Sequence, residues 1–233
     1  MPRAPGRPLA AVLFDLYDTL VHASPRRSFY RAVPAALAVS HEHWLGCYRA
    51  LGRAAMLGDV PDMTTRVGLA CRDAGQPRDP ATVAAVVREK LPLLYADIEP
   101  DRQALAVLDE LRAAGVRLAI VSNAASHSER LLDYFGFRDR VSATAMSWSV
   151  GVLKPDPVIY QAALGALGVA PGEAAYVGDG GDSELRGARR LGLRTVLIER
   201  GLPHTQSARA DADVCCADLA EVGRVLLGQE NRL

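Results

Sequence analysis

Short, unbroken apolar runs recur along the chain at Ala10–Phe14, Arg117–Val121, Ala174–Val177 and Thr195–Ile198. None alternates apolar with polar positions, so each predicts a strand buried on both faces. Between them the apolar period lengthens to that of a helix. Ala104, Leu105, Leu108 and Leu111 follow Pro100-Asp101 and stop at Gly115, while Ile159, Ala162, Ala163 and Leu167 follow Asp156 and stop at Gly168. Ser126 and Glu129 have the spacing of a capping box for a helix carrying Leu131, Leu132 and Phe135. A weaker strand falls near Val141–Ala145, another at Val214–Cys216, and a last helix covers roughly 218–227. Buried strands alternating with amphipathic helices predict an α/β fold: a Rossmann-like, doubly wound, mostly parallel sheet.

The first strand is separated from the second by about a hundred residues of different character. Helical segments are expected at Ala35–Ala38, Trp44–Met56, Val67–Ala74 and Val83–Leu94, broken by Pro34, Gly58, Pro61, Pro77 and Pro80. This reads as a helical domain over 23–97 inserted into a core made of 1–22 and 98–233.

Composition adds limits to this picture. The 233 residues carry 27 basic and 27 acidic side chains, so no net charge favours nucleic acid or a membrane surface. No apolar run is long enough to span a bilayer, and no apolar leader core follows the Pro-rich stretch 1–8; a cytoplasmic protein, monomer or homodimer, is expected. Cys47, Cys71, Cys215 and Cys216 lack metal-type spacing, and the adjacent pair reads as strand packing. Lys90 and Lys154 are the only lysines among the 27 basic residues. A chain that writes nearly every cation as Arg invites a question about each Lys it keeps.

In open α/β sheets, ligands bind beyond the carboxyl ends of the strands. There the sequence places Phe14-Asp15-Leu16-Tyr17-Asp18-Thr19, then Ser122-Asn123, then Lys154-Pro155-Asp156, then Gly178-Asp179-Gly180-Gly181-Asp182-Ser183-Glu184. Singly, each is an ordinary loop: Asp18-Thr19 a turn, Asp156 an N-cap, Gly178–Gly181 a strand-to-helix link. Four in order bring carboxylate, hydroxyl, ammonium and further carboxylates to one edge, a set suited to phosphoryl transfer.

The ordered set Asp15-x-x-x-Thr19, Ser122, Lys154-Pro155 and Gly178-Asp179 resembles the four motifs of the haloacid dehalogenase-like hydrolase superfamily, over residues 9–227. The resemblance implies a helical cap inserted after the first motif. It also implies Asp15 as covalent nucleophile, Thr19 and Ser122 as hydrogen-bond donors, and Lys154 as the charge that steadies Asp15 and the phosphoryl oxygens. Mg²⁺ would be held by Asp15, the backbone carbonyl of Tyr17, Asp179 and Glu184. The implied activity is Mg²⁺-dependent hydrolysis of a small phosphorylated metabolite through an aspartyl phosphate.

Two departures matter. Family phosphatases usually carry a second Asp two residues after the nucleophile, where this chain has Tyr17, a poor general base at neutral pH. Tyr17, Ser122-Asn123, and Lys154 with Tyr160 six residues on instead resemble the metal-independent 2-haloacid dehalogenases, whose nucleophile attacks carbon. Asp179 with Glu184 argues for metal and phosphorus. A catalytically weak accessory protein is the third reading. Substrate contacts are expected from Tyr17, Asn123 and His127 and, after the first motif, from Arg26, with His22, Arg27, Arg53 or Arg66 as further candidates; Trp44 and Tyr48 read as packing.

Overall fold

A computed structural model describes residues 9–229; the Pro-rich stretch 1–8 and residues 230–233 lie outside them. The elements in order are β1 Ala11–Phe14, β2 Val21–Ala23, α1 Ser28–Ala36, α2 His41–Ala50, α3 Gly52–Leu57, α4 Met63–Asp73, α5 Pro80–Ala96, β3 Ile98–Pro100, α6 Ala104–Ala113 and β4 Arg117–Ser122. They continue with α7 Glu129–Tyr134, β5 Ala143–Met146, α8 Ser147–Val150, α9 Pro157–Leu167, β6 Ala174–Gly178, α10 Glu184–Leu191, β7 Arg194–Ile198, α11 Thr205–Ala208, β8 Val214–Cys216 and α12 Leu219–Leu226.

Six strands form one parallel sheet in the order β5-β4-β1-β6-β7-β8. The apolar runs are continuous because each strand feeds two cores. Val12, Phe14, Leu118, Ile120 and Val177 face α6, α7 and α12, while Ala11, Leu13, Val121 and Tyr176 face α9 and α10. The doubly wound α/β fold expected from the pattern is therefore present. β1 lies between β4 and β6, so the chain winds away from it in both directions and opens a crevice at its carboxyl end.

The segment between β1 and α6 is helical and packs a cluster of its own around Phe29, Val33, Trp44, Tyr48, Val67 and Val87. Its boundaries differ from the periodicity in ways that have local causes. Pro80 opens α5 instead of interrupting it, because proline suits the first helical position; Asp79 caps the end by accepting from Thr82 N at 2.9 Å. Pro34 lies inside α1, where its apolar ring is buried at the cost of one backbone bond. The helix expected over Trp44–Met56 is divided at Leu51 into α2 and α3.

Two short strands escaped the pattern. β2 and β3 pair antiparallel, Val21 opposite Pro100 and Ala23 opposite Ile98, and form the two chain passages between sheet and helical segment. Three residues each, with His22 and Pro100 among them, give no readable period. The capping box expected at Ser126 and Glu129 is not formed. Ser126 Oγ donates instead to the Pro61 carbonyl at 2.6 Å, tying sheet edge to helical segment, and Glu129 pairs with Arg138.

Candidate active site

Asp15 is the first residue beyond β1, fixed by its backbone N–H donating to the Val177 carbonyl of β6 at 2.9 Å. The loop behind it is clamped from the far side of the chain. Arg200 donates to the carbonyls of Asp18 (3.2 Å) and Thr19 (2.8 Å) and forms an ion pair with Asp101 at 2.7 Å.

Of the two lysines, Lys90 makes a surface pair with Glu89, whereas Lys154 is 6% exposed. Its Nζ donates to Asp15 Oδ1 at 2.6 Å, to Glu184 Oε2 at 2.5 Å and to the Tyr176 hydroxyl at 3.1 Å. Tyr176 in turn donates to Glu184 Oε2 at 2.6 Å, and Gly180 N–H donates to Glu184 Oε1 at 3.0 Å. Glu184 reaches this position because residue 178 is glycine; a Cβ there would stand 2.0 Å from Glu184 Oε1. Asp179, at the end of β6, accepts from Gly181 N–H at 3.1 Å and lies 2.8 Å from His204 Nε2.

Asp15, Asp179 and Glu184, all buried, bring carboxylate oxygens within 4.8 Å of one another. Burial pushes the Asp15 carboxyl up to about 7; the Glu184 charge adds to that rise and Lys154 works against it. Burial also opposes the Lys154 charge, but Asp15 and Glu184 overcome it and hold the ammonium above its ordinary value. Three buried carboxylates thus gather beside one ammonium, with His204 at Asp179, and a proton or a bound cation has to balance the remaining negative charge. Hard oxygen donors in that number suit a divalent cation such as Mg²⁺.

The other expected residues are placed unequally. Asn123 joins the site: its Oδ1 accepts from Lys154 N–H and its Nδ2 donates to Asp182, both at 2.7 Å. Tyr17 turns away from Asp15, its hydroxyl 2.9 Å from Ser128 Oγ. Burial pushes that phenol up to about 12, so it stays protonated at neutral pH. Thr19 is fully buried and its Oγ1 has no hydrogen-bond partner among the described residues. Ser122 is buried at the end of β4, and no hydrogen bond joins its hydroxyl to the Asp15–Lys154 pair. Tyr160 donates to the Glu184 carbonyl at 2.8 Å, and the phenol hydrogen-bonded to Lys154 is Tyr176.

Beside this edge, reached through Tyr17 and Asn123 and lined by none of Asp15, Lys154, Asp179 and Glu184, is a cavity of about 690 Å³, within the range of small-molecule sites. Tyr17, Asn123 and His127 line it from the sheet side, and Arg27, Tyr48 and Arg66 from the helical segment. Arg26 is exposed and is not among the lining residues, nor is Arg53; the neighbouring Arg27 takes that place because the chain turns through a left-handed conformation there. His22 is drawn off toward Asp18 and Asp101. Trp44 and Tyr48 stack within the helical segment, centroids 5.0 Å apart, although Tyr48 also reaches the cavity. Burial, with the Arg66 charge, depresses His127 to about 4.

Tyr176, Arg200 and His204 were not anticipated. Tyr176 is read as one more apolar strand residue, and its nearness to Gly178-Asp179 is the one signal that marks it. Arg200 and His204 follow the last motif and reach the site only through the fold.

The chain is thus an α/β protein with a carboxylate–lysine pair at the switch point of its parallel sheet. The family model for haloacid dehalogenase-like hydrolases matches residues 9–192, and the chain belongs to that family. A glyceraldehyde 3-phosphate phosphatase of Methanopyrus kandleri is 32% identical over 220 residues, 88% of this chain and 91% of the relative. Among solved structures, a HAD phosphatase from Thermococcus onnurineus superposes with a TM-score of 0.66 at 24% identity, covering 96% of this chain and all of that one. The L-2-haloacid dehalogenase of Xanthobacter autotrophicus reaches 0.63 at 21%, covering 94% and 99%. The structural likenesses extend to both kinds of enzyme and speak to the fold alone. Among the described residues, no helix is long and apolar enough to cross a membrane.

Proposed function

We propose that the chain is a Mg²⁺-dependent phosphatase of a small phosphorylated metabolite, with Asp15 as nucleophile. The observation that carries this reading is the buried carboxylate cluster, with three acids to one ammonium. Attack on carbon with halide as leaving group has no use for that excess, whereas a divalent cation does. Asp15, Asp179, Glu184 and the Tyr17 carbonyl are the groups that would hold it. When bound, the cation supplies charge that draws the phosphoryl group toward Asp15 and offsets the negative charge of the reacting groups.

Lys154 fixes the Asp15 Oδ1 lone pairs, leaving Oδ2 to attack phosphorus as the ester oxygen departs. Glu184 and Tyr176 hold Lys154 so that its charge stays at the reacting edge. Ser122 and Thr19 are assigned as donors to the phosphoryl oxygens, a role that asks both hydroxyls to turn on substrate binding. Asn123 ties the Lys154 loop to the edge of the cavity and, with Tyr17 and His127, contacts the organic part of the substrate. Residues 23–97 act as the cap that closes over it, with 1–22 and 98–233 as the core. With Tyr17 protonated and facing Ser128, neither the leaving group nor the attacking water receives help from that position. Phosphorylation of Asp15 is therefore faster from esters with good leaving groups, and for those esters hydrolysis of the aspartyl phosphate limits turnover. The resemblance to a glyceraldehyde 3-phosphate phosphatase supports phosphorus as the atom attacked.

An aryl phosphate and chloropropionate, each assayed with Mg²⁺ and with excess EDTA, test this. Phosphate release that EDTA abolishes, without halide release, is expected. Halide release that EDTA leaves untouched overturns the reading in favour of dehalogenation.

A further inference from the structure

The cationic side of the cavity has no part in the chemistry just described. Arg27, Arg49 and Arg66 line it, against one acid, Asp97. Asp97 is already engaged, its carboxylate accepting from both the backbone N–H and the hydroxyl of Ser28. Arg27 and Arg49 are exposed at the rim. Arg66, on α4, is half-buried and makes no ion pair among the described residues.

Arg66 is also held in place without one. Its Nε and Nη2 both donate to the Tyr48 carbonyl, at 3.2 and 2.9 Å, and its guanidinium lies 3.8 Å from the centroid of the Tyr48 ring. Gly52 leaves room for it: a Cβ there would come within 3.2 Å of Nη2. One edge of the fork is thereby spent on backbone, and the Nη1–Nη2 edge remains without an acceptor among the described residues. A fixed guanidinium edge matches the two coplanar oxygens of a carboxylate. Leu45, Met56, Leu94 and Ile98 supply apolar lining, and Tyr17 and Asn123 bound the cavity toward the catalytic edge.

We propose that Arg66 is a specificity-determining residue that binds a carboxylate at the end of the substrate remote from phosphorus. The substrate class is then a phosphate monoester whose organic part is apolar or aromatic and ends in a carboxylate. This rests on the phosphatase reading above and narrows it. A cavity of about 690 Å³ is far larger than a two- or three-carbon acid fills.

The test compares para-carboxybenzyl phosphate with its neutral near-isostere para-carbamoylbenzyl phosphate, in the wild type, Arg66→Gln and Arg66→Lys. Because the two esters are read on the same preparation, their kcat/KM ratio is insensitive to how much of a variant is folded. The wild type should favour the carboxylate by roughly 10- to 100-fold, the size expected for a charge-assisted pair. Most of this should appear in KM, since the contact is equal in ground and transition states. Arg66→Gln should bring the ratio to about one, and Arg66→Lys should keep part of it. A wild-type ratio near one, or a preference that survives Arg66→Gln, overturns the proposal while leaving the phosphatase reading intact. If neither ester turns over, that reading fails first. Calorimetric binding of the two corresponding phosphonates then decides the Arg66 assignment: an Arg66-dependent preference for the carboxylate supports it, and equal binding overturns it.

Discussion

At the sheet edge, each charged side chain of the site is bound to another. Lys154 bonds Asp15 and Glu184, Glu184 also takes Tyr176 and a backbone N–H, and Asp179 meets His204. On the cap side of the same cavity, Arg66 is fixed by a backbone carbonyl and an aromatic ring, and its charge makes no ion pair among the described residues. On the proposed reading, the first arrangement fixes groups that react in one geometry with any substrate. The second fixes a cation and leaves its counter-charge to come from outside. Strand ends are the stiffest positions available for the first task. An inserted helical segment can be altered for the second without disturbing them.

That contrast can be broken at the sheet edge most severely. Asp15→Asn should lower kcat by about 10³-fold or more for any phosphate ester, because the substitution removes the attacking oxygen. Circular dichroism of the same sample should stay native.

Glu184→Gln comes next. It removes one of the two carboxylates on a buried ammonium and loosens the hold on Lys154, so kcat should fall roughly 10- to 100-fold. A variant as active as the wild type would refute the role given to Glu184 in holding Lys154.

Tyr17→Asp sharpens the comparison by restoring a proton-transfer group at the edge. Turnover of activated aryl esters, limited by hydrolysis of the aspartyl phosphate, should rise by about 10-fold or more through the restored base, and esters with poor leaving groups should gain through the restored acid. No gain on any ester would mean that Tyr17 is not what limits the later hydrolytic step.

The smallest effect belongs to His127, on the sheet side of the cavity and within reach of the Arg66 charge. Burial, with the Arg66 charge, lowers His127 from its ordinary 6.5 to about 4. Between those values the unfolded chain holds the proton and the folded one does not, so stability rises with pH across that window. The penalty begins as pH falls through 6.5 and is complete below 4. Replacing His127 with Asn should therefore flatten the acid-side loss by about 1–2 kcal/mol, allowing for partial solvent screening of the ring. Urea midpoints at pH 7 and 4.5 measure it.

The two regions were also unequally legible in the sequence. Strands buried on both faces announce themselves as unbroken apolar runs, and motifs at their ends follow from where such sheets bind ligands. Asp15, Lys154, Asp179 and Glu184 could be placed together for that reason. Asn123 could be marked by its position after β4, though its bonds to Lys154 and Asp182 were not visible. Nearness to the first motif points to Arg26, but which of two adjacent arginines faces a cavity depends on backbone conformation at Arg27. Tyr176 was hidden because a phenol within an apolar run looks like packing until a lysine from elsewhere meets it. Arg200, His204 and the Arg66–Tyr48 contact join residues far apart in the chain, and no local period records such meetings. The β2–β3 pair is too short to carry a period at all.

The central claim is that Asp15 itself accepts the phosphoryl group. Acid-quenching the enzyme during turnover of an aryl phosphate with Mg²⁺, then mapping peptides by mass, tests it directly. One phosphoryl group on the peptide containing Asp15, and none in Asp15→Asn, is the predicted result. A phosphoryl group on another residue, or full turnover by Asp15→Asn, would contradict it.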